Sequence, residues 1–180
     1  MNKFMILSGA VLAMALPASQ LARADDAALI KSAESAAPAA VAAGAAIYAM
    51  GADGKMKTLR EGTNGFWCMP DSPAVPGPNA MCGDANAMEW AMAWIGKKDP
   101  PKGKVGFMYM LAGGTDASNT DPYAAGPKAD NNWIKTGAHV MVLNATDMMA
   151  GYPTGAKPDT SKPYVMWAGT PYQHLMIPIK

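Results

Sequence analysis

The chain has 180 residues, and its 15 basic and 14 acidic side chains leave a formal net charge of +1, with half the residues hydrophobic. That balance excludes a basic surface built for nucleic acid or an anionic membrane. The length points to one domain with one core.

Met1-Asn2-Lys3, an apolar run from Phe4 to Pro17 and the small-residue stretch Ala22-Arg23-Ala24 have the pattern of a secretory signal peptide, residues 1–24, cleaved after Ala24. The run is too short to span a bilayer comfortably. No later stretch is apolar enough for a second anchor, and no cysteine stands at the cleavage site to carry a lipid. The expected product is a soluble periplasmic or extracellular domain, residues 25–180. Losing Lys3 and Arg23 leaves 13 basic side chains against 14 acidic and shifts the formal charge to −1.

Asp25-Asp26 supplies an N-cap and acidic first turn for an alanine-rich helix over 27–37, which Pro38 closes, and its shallow side chains place it at the periphery. Strands over 45–50 and 55–60 flank Gly51-Ala52-Asp53-Gly54, a hairpin signal. Phe66-Trp67-Cys68-Met69 forms a further short strand, and Pro70, Pro73, Pro76 and Pro78 forbid regular structure before Cys82. In an oxidising compartment Cys68 and Cys82 most simply form a disulfide that fastens this flap; a thiolate metal site or a redox pair is the alternative.

Asp84 caps a helix over 85–95, with Gly96 as its C′ residue and Pro100-Pro101 as a stop. At 100° per residue Ala87, Met88, Trp90, Ala91, Met92, Trp94 and Ile95 make an apolar arc of roughly 200°. This is the main core helix, with a Trp90/Trp94 rim that can serve a ligand or partner. Lys104 to Leu111 is a strand apolar on both faces and therefore central. The long loop 112–133 follows. Its Asp116, Ser118, Thr120 and Asp121 lack the glycine and glutamate that a calcium loop requires. Trp133 to Leu143 contains a strand, Asn144 to Met149 a helical turn, and Pro163–Trp167 with Tyr172–Ile179 a closing hairpin. The fold class that follows is α+β, an antiparallel sheet of about five to seven strands covered by one main amphipathic helix, with long Pro/Gly/Asp-rich loops.

Three stretches, Asn64-Gly65-Phe66-Trp67-Cys68-Met69-Pro70-Asp71, Ser118-Asn119-Thr120-Asp121-Pro122-Tyr123-Ala124 and Val165-Met166-Trp167 with Thr170 to Pro178, resemble a functionally uncharacterised family of small exported bacterial proteins. The resemblance covers most of the chain after the leader. It implies a secreted domain and assigns no active-site residue.

The two histidines, His139 and His174, each precede a methionine by two residues, Met141 and Met176. Side chains alternate along a strand, so each His shares a face with its Met. Paired strands would bring two imidazoles and two thioethers together, a donor set that suits copper(I). Against this stands a purely structural reading in which both strands are central, each imidazole is hydrogen-bonded in the core and each Met fills a gap. A hydrolase-like reading uses either histidine as base, oriented by Asp116 or Asp121, with Ser118 or Thr120 as nucleophile. A fourth reading is an interaction module for a protein or small ligand that uses the loops and the tryptophan rim.

Overall fold

Turn chemistry sets the first hairpin. Gly54, at φ +75°, and a bond from the Lys55 N–H to Asp53 Oδ1 reverse the chain between β1 (Ala46–Met50) and β2 (Met56–Arg60), which pair antiparallel. From this edge the computed structural model, which describes residues 18–75 and 77–179, builds an α+β fold on an eight-stranded sheet. Its remaining strands are β3 (Trp67–Met69), β4 (Met81–Gly83), β5 (Gly106–Met110), β8 (His139–Leu143), β9 (Tyr164–Met166) and β10 (His174–Pro178). They lie in the order β2-β1-β3-β4-β5-β8-β10-β9. The β1–β3 pairing is parallel and the other pairings in this sheet are antiparallel. The apolar run of the leader lies outside the described residues.

The sheet is wider than the five to seven strands expected. The added strand is β4, three residues at the close of the proline-rich flap, defined by Cys82 facing Cys68 in register. These cysteines form the disulfide. Closing a loop of this size contributes about 3 kcal/mol. Within the flap the Asp71 carboxylate accepts the N–H groups of Asn79 and Ala80 and the Ser32 hydroxyl, contacts that hold its pKa below the usual range despite some burial. Two short strands, β6 (Ala117–Ser118) and β7 (Trp133–Ile134), pair inside the long loop and give it an anchored base.

α3 (Ala85–Ile95) starts where Asp84 accepts the Ala87 N–H at 2.8 Å. It ends at Ile95, where the sequence puts it, but the left-handed position falls one residue beyond Gly96. Lys97, at φ +52°, takes the left-handed position, with Lys97 N–H bonded to Trp94 O and Lys98 N–H to Ala93 O. The helix sits on the sheet because two glycines make room: a Cβ at Gly83 would lie 2.8 Å from the Trp67 ring, and one at Gly106 would lie 2.6 Å from the Ala87 backbone N. Its buried face is narrower than the arc the sequence draws. Ala87 and Trp90 are buried, whereas Met92 and Ile95 are 53% and 66% exposed.

The alanine-rich helix departs further from expectation. α1 spans Ala18–Glu34, so Asp25 and Asp26 lie within it rather than capping it, and Asp26 pairs with Lys57 at 2.8 Å. Most of its described side chains are exposed or half-buried, in keeping with a peripheral helix, and it meets the core only at Ala33 and just past its end. Ala33 and Ala36 are fully buried and pack with Ile47, Cys68 and Cys82. α2 (Ala39–Ala42) continues that layer after Pro38. Small side chains bring a helix close to a sheet, which is why an alanine stripe covers the disulfide face while α3 covers the other. Among the described residues no helix is long and apolar enough to cross a membrane.

Candidate functional site

β8 and β10 are neighbours, and their register fixes what meets. Met141 faces Met176, His139 faces Pro178 and His174 faces Leu143. Alternation then puts His139, Met141, His174 and Met176 on one face of the sheet. The two methionines form a directly opposed pair. The two imidazoles flank it at opposite ends, offset by four residues, on the order of 13 Å along the strands.

The flanking strands complete each end. β5 places Met110 opposite His139 and Met108 opposite Met141. β9 places Met166 opposite His174 and Tyr164 opposite Met176. Each imidazole therefore has one thioether across the neighbouring strand and one two residues ahead: Met110 and Met141 for His139, Met166 and Met176 for His174. Met108, Met110, Met141, Met166 and Met176 all belong to one buried cluster beneath α3.

Both rings are held by the same local device. His139 Nδ1 lies 2.8 Å from Gly137 O, and His174 Nδ1 lies 2.9 Å from Tyr172 O, each two residues back. A carbonyl only accepts, so Nδ1 carries the proton of the neutral ring and Nε2 keeps the free lone pair. Burial holds His139 below its usual pKa, partly countered by the bond to Gly137. It pushes His174 down to about 4, with a smaller contribution from His139 and opposition from the Tyr172 bond. Both imidazoles are neutral at pH 7, the form that donates to a metal.

The His174 end is roofed by aromatic rings. The Trp167 centroid lies 4.9 Å and the Trp90 centroid 5.4 Å from the imidazole, both edge-on, and the two indoles stack on each other at 6.2 Å. Trp167 holds φ +56°, a strained position for a large side chain, secured by its Nε1 bond to Ser118 O at 2.8 Å and its backbone bond to Asn119 O. The long loop thus aims Trp167 at the histidine. Two donors in the same cluster, Trp90 Nε1 and the Tyr164 hydroxyl, are buried without a hydrogen-bond partner. At the other end Gly114 closes over His139, and a Cβ there would lie 2.5 Å from Cε1.

Of the residues in the hydrolase-like reading, Ser118 and Asp121 are engaged within the long loop. The Ser118 hydroxyl donates to Asn131 O and accepts the N–H groups of Thr120 and Asp121, while Asp121 accepts the Tyr123 N–H. Both rings are oriented by backbone carbonyls in place of a carboxylate. Among the described residues no group of three or more His, Cys, Asp or Glu side chains gathers for a metal. The donors at the site are therefore imidazole and thioether. The sequence echo found two of the methionines. Met110 and Met166 emerge only from strand register, and Trp167 only from a left-handed turn. No protein-family model, curated protein or solved structure matches the chain.

Proposed function

We propose that this chain is an exported domain that binds copper(I) on the methionine-rich face of its sheet. His174 with Met166 and Met176 forms one donor set, and His139 with Met110 and Met141 forms the other. The observation that carries the reading is the register, which sets two methionines beside each histidine on the same sheet face. Copper(I) favours such soft donors at low coordination number, and burial, with an aromatic roof at the His174 end, protects it from water and oxidation. Export is supported by the leader pattern of residues 1–24 and by a disulfide, which persists in oxidising compartments.

The test is anaerobic titration of the purified protein with copper(I) against a chromogenic chelator. The expected result is two ions per chain, with His139→Ala and His174→Ala each losing one. Met110→Leu and Met166→Leu, which conserve volume, weaken binding at their own ends. Unchanged stoichiometry in all four variants contradicts the reading.

An interaction module is a second reading, favoured by the exposure of Met92 and Ile95 on α3 beside the half-buried Trp94. Under it, Met92→Lys with Ile95→Lys abolishes partner capture and leaves copper binding untouched.

A further inference from the structure

A buried site needs an entrance, and the two ends differ in what surrounds them. His174 lies under Trp90 and Trp167. His139 lies under Gly114, which belongs to a loop pinned by the Thr115 hydroxyl on Pro78 O and by the Thr136 hydroxyl on Thr115 O. A surface depression beside Gly137, Ala138 and Pro178 comes near His139, but it is lined by Lys135, Thr136, Thr160 and Ser161. A lysine ammonium and hydroxyls repel or ignore a soft monovalent cation.

The third approach runs across the strands. Met69 faces Met81 between β3 and β4. The β4–β5 register, Cys82 to Tyr109 and Gly83 to Met108, continued by one residue sets Met81 beside Met110, and Met110 faces His139. Neighbouring strands are about 4.8 Å apart, so the row Met69, Met81, Met110, His139 presents a donor roughly every 5 Å. Met110 and His139 are buried, whereas Met69 and Met81 are half-buried and pack on the margin of the same cluster, at the two ends of the proline-rich flap. The row grades from solvent to the His139 donor set without a hard ligand or a cation in line.

Resting on the copper(I) reading above, we infer that Met69 and Met81 form the entry route, a thioether relay that passes the ion inward to Met110 and His139. Each step exchanges one thioether for the next on the ion, with no change in oxidation state and no proton released. The pair acts on loading rate and not on the final site.

The experiment is stopped-flow transfer of copper(I) from a chromogenic chelator complex to the purified protein, with stoichiometry read at equilibrium. Met69→Leu with Met81→Leu conserves volume and should fold. Its transfer rate is expected to fall about tenfold, with the stoichiometry kept. Met50→Leu with Met56→Leu, an exposed cross-strand pair on the distant hairpin, is expected to leave the rate unchanged. An unchanged rate in the Met69/Met81 variant with full stoichiometry overturns the relay and leaves the site standing. Lost stoichiometry in that variant also overturns it, because the residues are then ligands. Absence of copper(I) uptake by the unaltered protein fails the underlying reading itself.

Discussion

Acidifying the metal-free protein should expose His174 as a stability switch. In the unfolded chain the imidazole titrates near its ordinary 6.5, and in the folded protein burial holds it at about 4. The folded form therefore resists protonation. Its contribution is intact above pH 6.5 and is lost as pH falls, because between 6.5 and 4 the unfolded chain takes a proton that the folded one refuses. At about 1.4 kcal/mol for each pH unit, the loss across that window is about 3 kcal/mol. His174 is fully buried, so solvent screening does not reduce the figure. The assay is urea unfolding at pH 7, 6, 5 and 4 for the natural chain and for His174→Gln, which keeps a polar side chain without a titrating proton. The difference between the two curves isolates His174 from the carboxylates and from His139, which burial shifts in the same direction. Parallel curves, with no extra loss in the natural chain, would refute a neutral buried imidazole.

Three further outcomes follow from packing. Gly106→Ala would set a methyl 2.6 Å from the Ala87 backbone N, so α3 must lift from the sheet; a loss of about 1–3 kcal/mol is expected, read as a lower melting temperature with a weakened near-UV tryptophan signal. Tyr164→Phe removes a buried hydroxyl that has no partner, and stability should stay level or rise by about 1 kcal/mol in denaturant titration. Replacing Cys68 and Cys82 together by Ala should cost about 3 kcal/mol, and reduction of the natural chain should match that loss.

Local signals in the sequence place most elements. The Asp84 cap, the Asp-Gly turn and the apolar period over 85–95 each act within a few residues, and the corresponding helix and hairpin stand where those signals put them. What depended on contacts distant in sequence was not legible. β4 is a strand because Cys82 meets Cys68 and Tyr109, not because Met81-Cys82-Gly83 favours one. The C-terminal end of α1 and the alanines just after it reach the core because small side chains approach a sheet closely, a property that low hydrophobic content conceals. At the site, the two His-x-Met pairs were visible as spacing. Their antiparallel register separates the imidazoles and adds Met110 and Met166, and register is set by neighbouring strands.

Metal binding on the methionine face can be read directly by titrating silver(I), a redox-inert surrogate for copper(I), into protein carrying ¹³C-labelled methionine methyl groups. The Met110, Met141, Met166 and Met176 methyl signals are expected to shift and saturate, while those of the exposed Met50, Met56, Met92 and Met148 stay in place. Shifts confined to the exposed methionines, with the buried four unmoved, would contradict binding on that face.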